Sequence, residues 1–139
     1  QIGVLSTVAE MIGAEVPDDG AEDSQSFYSV LIDPKSDAKR LPLINHGISG
    51  RFSITEGKWK LIMPHKNLKH ELYNLEKDPG EETNVYGKNV KLATRLEQRI
   101  SEIVCRGRTT DGVPQLNDTG YWDDLAWLNE GQYNRLAPK

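Results

Sequence analysis

The residues best suited to contact a ligand lie at the end of a predicted strand. His46 follows the strand pattern of residues 41–45 and precedes residues 47–50, a loop with glycine at both ends. A loop of this kind lets a side chain project freely, and imidazole both donates and accepts hydrogen bonds. Asn45 and Arg51, on either side, are weaker candidates for the same binding site. The alternative interpretation of His46 is an ordinary surface histidine at a strand end.

The other two histidines are poor candidates for a metal site. His65 and His70 flank four residues of a predicted loop, with no Cys or carboxylate at ligand spacing. Because a zinc site needs more ligands than this, both side chains are expected to be solvated. The acidic segment at residues 18–23 lacks the alternating ligands of an EF-hand loop, so we expect a solvated loop there. The sequence predicts no metal ligands.

The single cysteine is not predicted to be a nucleophile. Cys105 lies at the end of a helix pattern, where it is expected to be a small buried hydrophobic residue. The neighbouring arginines, Arg106 and Arg108, would lower the pKa of its thiol only if the side chain were exposed. Nothing places Ser49 or Ser53 beside a base that a carboxylate orients. We therefore predict no catalytic residue in this chain.

Composition restricts the classes of function. The chain has 139 residues, enough for one domain with a core, and a formal net charge of −4. Its lysines and arginines are not clustered, which argues against nucleic acid as a partner. No apolar run approaches the ~20 residues that span a bilayer. The first residue is Gln1 rather than Met, so we expect an internal start within a longer protein.

The hydrophobic pattern predicts an α+β fold. Strand patterns cover residues 41–45, 51–55, 58–63 and 71–75. Residues 89–106 carry an apolar stripe at helical spacing, and Gly107 ends the helix. The expected fold is a four-stranded antiparallel sheet covered by this one long C-terminal helix, with an N-terminal helix and an extended C-terminal tail.

The two ends of the chain are less regular. An amphipathic helix is predicted at residues 3–13 from the spacing of its apolar residues, which are Val4, Leu5, Val8, Met11 and Ile12. Residues 108–139 form the extended tail, with at most one short helix near residues 121–129. Its aromatic side chains need a surface, and we expect another part of a larger protein to provide it.

Three segments, in the same order along the chain, resemble segments of the sulfatase family. Residues 71–84, E-L-Y-N-L-E-K-D-P-G-E-E-T-N, resemble the family segment E-L-Y-D-L-x-x-D-P-x-E-x-x-N, which lies near the C-terminus. Residues 50–62 are similar to the paired strands R-x-A-I-R-x-G-x-W-K-L. Residues 4–14 are similar to the helix D-L-x-P-T-L-A-E-L-A-G.

This resemblance implies the C-terminal part of an arylsulfatase-like enzyme of the alkaline phosphatase-like superfamily. Such sulfuric ester hydrolases use a formylglycine, made from Cys or Ser in a C-x-P-x-R or S-x-P-x-R motif, beside a calcium ion. The sequence from Cys105, C-R-G-R-T, does not match that motif. Formylglycine and calcium are therefore expected in an N-terminal catalytic part outside this chain, which alone would be inactive.

The resemblance also implies partners and a division of the chain. Residues 1–107 would be the C-terminal subdomain, with residues 3–13 as its linking helix, and residues 108–139 its tail. The partners would be the N-terminal catalytic domain of the same sulfatase and a sulfated substrate, an aryl sulfate or a sulfated carbohydrate. In sulfatases the strand equivalent to residues 43–46 ends near the mouth of the cleft, so the resemblance implies that His46 could donate to a sulfate or sugar oxygen. The resemblance to the family also implies that the protein is periplasmic or secreted.

Two alternatives remain open. The chain could be a non-catalytic accessory module that binds sulfated sugars through residues such as His46, Arg51 and Lys58. It could also be part of a related phosphonate or phosphodiester hydrolase, since the residue that decides the reaction lies outside the three segments.

Overall fold

The structure is a computed structural model that describes residues 2–115 and 120–136. In chain order the elements are helices α1 (Val4–Ile12) and α2 (Tyr28–Ile32), strands β1 (Leu43–His46), β2 (Phe52–Glu56), β3 (Trp59–Ile62) and β4 (Glu71–Asn74), a 3-10 turn at Tyr86–Lys88, helix α3 (Val90–Arg106), a 3-10 turn at Asp123–Leu125 and helix α4 (Glu130–Leu136). The four strands lie side by side in chain order, each antiparallel to the next. The predicted fold class is confirmed.

One face of the sheet and the apolar stripe of α3 form the core. Leu61 in β3 pairs with Ile54 on one side and Leu72 on the other, so three strands present large apolar side chains in a row. These residues share a buried cluster with Leu96 and Ile100 of α3, and all five side chains have 0% exposure. Full burial of a side chain of this size stabilises the fold by ~1.5 to 3 kcal/mol.

The end of α3 is fixed by its glycine. Gly107 has a φ of 66°, in the left-handed region, and an added Cβ would lie 2.3 Å from the carbonyl oxygen of Gln115. Only glycine permits this turn without a backbone shift.

Over residues 2–115 and 120–136, none of the helices is both long and apolar enough to cross a membrane.

The tail packs on this core rather than requiring another domain. Leu125, Leu128 and Tyr133 are buried members of the core cluster, and Trp127 lies with its ring centroid 5.3 Å from that of Phe52. The indole Nε1 of Trp127 also donates to the hydroxyl oxygen of Ser101 in α3, at 3.1 Å. The expectation that the tail's aromatic side chains would need an outside surface is therefore wrong, because the sheet and α3 supply one. The tail also has more helix than predicted, since α4 follows the 3-10 turn.

Helix α1 forms at the predicted place, but its apolar stripe faces outward. Its buried residues are Thr7 and Ala9, whereas Leu5 and Ile12 are 59% and 73% exposed. The hydroxyl oxygen of Thr7 accepts a hydrogen bond of 3.0 Å from the backbone N–H of Phe27. Small polar side chains therefore attach α1 to the chain beside it, and the large apolar ones are left without cover in the described structure.

The acidic segment before α2 is anchored to the end of α3. The guanidinium of Arg108, only 4% exposed, donates from Nη1 to the carbonyl oxygen of Asp18 at 2.7 Å. The hydroxyl of Thr109 donates to the carboxylate of Asp23, also at 2.7 Å. These bonds hold the N-terminal segment against the sheet and α3, and the sequence pattern did not predict them.

We expect equal truncations of two leucines to have very different effects. Leu96→Ala leaves a cavity in the core and should lower the free energy of unfolding by ~2 to 5 kcal/mol. The control is Leu5→Ala in α1, whose side chain is mostly exposed, and its effect should stay within about 0.5 kcal/mol. Urea unfolding followed by circular dichroism measures both. Similar losses for the two variants would contradict the assignment of the inner and outer faces.

Candidate functional site

Three side chains from distant parts of the chain meet at one end of the sheet. The Nε2 atom of His46, at the end of β1, lies 2.9 Å from Oδ2 of Asp124 in the tail. The other carboxylate oxygen, Oδ1, lies 3.6 Å from Nε2 of His65, in the loop between β3 and β4. We refer to His46, His65 and Asp124 as the His–Asp–His cluster.

Ring stacking positions His46, and a glycine in the neighbouring loop lets Asp124 approach. The ring of His46 stacks on that of Phe52, its partner in the β1–β2 ladder, with centroids 4.3 Å apart and planes 19° apart. Asp124 approaches because residue 50 is glycine: an added Cβ at Gly50 would lie 2.6 Å from Oδ1. The φ of Gly50 is 77°, which other residues rarely adopt. The loop of residues 47–50 therefore leaves room for the carboxylate.

The contact with Asp124 determines which ring nitrogen of His46 is left to bind a ligand. A carboxylate only accepts hydrogen bonds, so this contact requires the hydrogen on Nε2 and leaves Nδ1 for a ligand. A neutral ring would accept a bond from a hydroxyl group at Nδ1, whereas a protonated ring would donate one to an anionic oxygen. The side chain of His46 is 43% exposed, so a ligand can reach it.

His65 and His70 are not the solvated side chains that the sequence led us to expect. His65 is 4% exposed, and neither ring nitrogen has a hydrogen-bond partner among the described residues. The ring of His70 stacks on Tyr86, with centroids 5.0 Å apart, and its Nε2 lies 3.2 Å from a carboxylate oxygen of Glu97. That interpretation is wrong because the β3–β4 loop folds back on the tail and on α3.

Arg51 joins the strands at this end of the sheet. Its guanidinium donates to the carbonyl oxygens of Met63 and Lys69, at 3.0 and 2.6 Å, and to the carboxylate of Glu71. Only 11% of its side chain is exposed. Arg51 therefore fixes the base of the β3–β4 loop, and its contact with a substrate stays a prediction.

Glu71 and Tyr73 extend this network across the sheet. Burial alone would raise the pKa of Glu71, but hydrogen bonds from Tyr73 and Arg51 outweigh it, and the pKa lies below its ordinary value. The hydroxyl of Tyr73 donates to Oε2 of Glu71 at 2.6 Å. This bond, together with burial, raises the pKa of Tyr73 to about 12.

Asn45 lies apart from the cluster. It pairs with Ser53, whereas His46 pairs with Phe52, so the two neighbouring side chains point to opposite faces of the sheet. The binding role of Asn45 stays a prediction. Sequence reasoning missed Asp124 altogether, although an acidic pair beside Trp122 in an aromatic tail was the available signal.

The described residues give little support for other chemistry. Cys105 is fully buried, as predicted, and burial raises the pKa of its thiol. No group of three or more His, Cys, Asp or Glu side chains in the described ranges has the arrangement needed to hold a metal ion. The exposed ring of His46 offers hydrogen bonding to a ligand.

We expect the contribution of Glu71 to stability to depend on pH. Because its pKa is lowered on folding, the contribution is present above the ordinary value of 4.5 and is lost as the pH falls through the folded value. The difference in free energy of unfolding between the wild type and Glu71→Gln should therefore shrink below about pH 4.5. Urea unfolding over a pH series measures it. Glu82→Gln, at an exposed carboxylate, is the control, and an equal decrease in both would contradict the network.

Comparison with known proteins gives one clear relative in sequence. The chain is 25% identical over 120 residues to the N-acetylgalactosamine-6-O-sulfatase of Bacteroides thetaiotaomicron, a match that covers 76% of this chain. It spans 23% of that relative's length. No protein-family model matches the sequence.

Solved structures agree on the fold. A protein of glycosaminoglycan metabolism from Bacteroides thetaiotaomicron matches with a TM-score of 0.63 and 22% identity, over 73% of this chain and 24% of that one. The protein Ps i-CgsB, solved with k-i-k-neocarrahexaose, matches with a TM-score of 0.59 and 20% identity, over 78% and 25%. A third, solved with its substrate D-glucosamine-2-N,6-O-disulfate, has a TM-score of 0.51 and 22% identity, over 69% and 22%. Over about three quarters of its length, the chain is similar in sequence and in fold to part of a sulfatase.

Proposed function

We propose that this chain is the C-terminal subdomain of a sulfatase, a sulfuric ester hydrolase, in which it completes the fold and lines one wall of the substrate cleft. The observation that carries the proposal is the match of 120 residues to less than a quarter of a sulfatase. Residues 1–107 would form the subdomain and residues 108–139 its tail. The order of the three family-like segments, which ends near residue 84, supports a C-terminal position.

The outward face of α1 supports docking to a larger partner. Its apolar side chains, which are Val4, Leu5, Val8, Met11 and Ile12, are each about half exposed or more. The short helix α2 adds three further exposed apolar side chains, at Val30, Leu31 and Ile32. Apolar patches of this kind mark interaction surfaces. In the proposal the N-terminal catalytic part of the same sulfatase covers them.

The His–Asp–His cluster is the proposed wall of the cleft. Asp124 holds the ring of His46 through Nε2, so Nδ1 faces the substrate in one orientation. In the protonated state it donates to a sulfate oxygen, and in the neutral state it accepts from a sugar hydroxyl. Both roles bind and orient the substrate, and neither forms nor breaks a bond to it.

The reacting groups belong to the part of the enzyme outside this chain. Formylglycine would supply the nucleophile and calcium would stabilise the charge of the sulfate group, as in the family. Cys105 is unsuited to replace the nucleophile because it is buried and the pKa of its thiol is raised. This chain's residues would bind, orient and enclose the substrate.

A sulfated carbohydrate is the substrate class that we favour over an aryl sulfate. The sequence relative is named for a sulfated N-acetylgalactosamine, and one structural neighbour was solved with a disulfated glucosamine. An imidazole that can serve both an anion and a hydroxyl fits such a sugar.

The first test compares this chain with the complete protein. The chain alone should not turn over an aryl sulfate or a sulfated amino sugar, with or without calcium. The complete gene product should release sulfate from the sugar. Sulfate release, measured by ion chromatography, decides between the outcomes. Turnover by the purified chain alone would contradict the proposal, and a complete protein that binds the sugar without hydrolysing it would favour the accessory module.

The second test concerns His46 in the complete protein. His46→Ala should lower kcat/KM for the sulfated sugar about tenfold to a hundredfold, the effect of losing one hydrogen bond to a charged group. Its effect on Tm should be small because the side chain is partly exposed. Ile48→Ala, in the loop that follows His46 and fully exposed, is the control and should leave both quantities unchanged. Unchanged kcat/KM with a lowered Tm would make His46 a structural residue.

A further inference from the structure

A second concave surface lies along the β3–β4 loop, which also carries His65 of the His–Asp–His cluster. It is a groove of about 600 Å³ between the loop of residues 64–70 and residues 84–87. A volume of this size is enough for a small ligand. We refer to it as the basic groove, because Lys66 and Lys69 line it.

The two lysines of the basic groove are available to a ligand. Both are exposed, and neither forms an ion pair with a carboxylate in the described ranges. By contrast, Lys58 and Lys60 pair with glutamates, at 3.1 and 2.7 Å. The basic groove therefore presents positive charge in a chain whose net charge is −4. Such a site favours an anionic ligand.

The walls of the basic groove are held in place by hydrogen bonds. The amide oxygen of Asn84 accepts from the backbone N–H groups of Leu72 and Tyr86, and its amide nitrogen donates to the carbonyl oxygen of His70. One side chain thus joins the two walls. At the loop tip, the backbone groups of His65 and Leu68 pair with each other, at 2.9 and 3.2 Å. A preformed site loses less entropy on binding.

An aromatic surface lines the basic groove beside the lysines. The ring of Tyr86 is stacked with that of His70, with planes 14° apart, and both residues line it. Aromatic rings and two lysines that line one groove suit a ligand with an apolar face and an anionic substituent. A sugar unit that carries a sulfate or a carboxylate has both.

The basic groove and the His–Asp–His cluster share one loop. His65, at the start of the loop, faces Asp124, and the carbonyl oxygen of Lys69, near its end, accepts from Arg51. Both sites therefore lie at the same end of the sheet, where an extended ligand could contact both. We propose that the basic groove is a second subsite, which binds an anionic sugar unit of an oligosaccharide whose sulfate ester lies at the His–Asp–His cluster. This inference rests on the proposed function for the class of ligand.

The test is a titration of this chain with a chondroitin 6-sulfate hexasaccharide, followed by nuclear magnetic resonance of the backbone amides. Shifts should concentrate at residues 64–70 and 84–87. The double variant Lys66→Ala/Lys69→Ala should weaken binding about tenfold, the combined effect of two exposed charge contacts. The control Lys35→Ala/Lys77→Ala removes the same charge from exposed positions outside the basic groove and should change the Kd less than about twofold.

Several outcomes would overturn the subsite. They are an equal loss of affinity in the control, shifts confined to other surfaces, and equally tight binding of an oligonucleotide with the same charge. Desulfation of the hexasaccharide, compared in the wild type and the double variant, tells which anion binds in the basic groove: a loss of affinity that is smaller in the double variant assigns the sulfate, and an equal loss in both assigns the carboxylate. No turnover is measured, so the subsite can fail while the complete protein hydrolyses sulfate esters, and it can hold if that protein does not.

Discussion

The burial of Phe52 joins the core of this molecule to its candidate site. Its ring belongs to the buried cluster under α3, and it contacts both Trp127 and His46. Aromatic pairs of this kind add ~0.5 to 1.5 kcal/mol each beyond the burial of area. The His–Asp–His cluster is therefore built directly on the core. The carbonyl oxygen of Phe52 also accepts from the backbone N–H of Met63, just before the loop of residues 64–70.

Much of the fold could be predicted because the buried face of a strand or helix gives the sequence a regular spacing of apolar residues. The strand pattern of residues 58–63 and the apolar stripe of residues 89–106 were recognisable in the sequence, and the structure has β3 and α3 there. The hydrophobic pattern indicates which side chains can be buried, but it does not indicate which part of the chain buries them. For that reason α1 was predicted correctly as a helix while its apolar face points outward, and the tail was not recognised as a part of the core.

The candidate site could be predicted only where it depends on local sequence. His46 follows from a strand end and a glycine-flanked loop, which are local features. Its partner Asp124 is 78 residues away, and only the packing of the tail brings them together. The burial of His65 was missed for the same reason, since a basic loop is solvated unless another segment lies over it. Contacts of this range depend on the assembled fold.

The distance along the chain between His46 and Asp124 has a consequence for biosynthesis. The four strands and α3 are complete by residue 106, so this layer can begin to assemble before the tail has left the ribosome. The carboxylate that orients His46 arrives later, with the tail that covers Phe52. The sheet can therefore form before this part of the core is covered, and the imidazole of His46 lacks its carboxylate partner until the tail has packed.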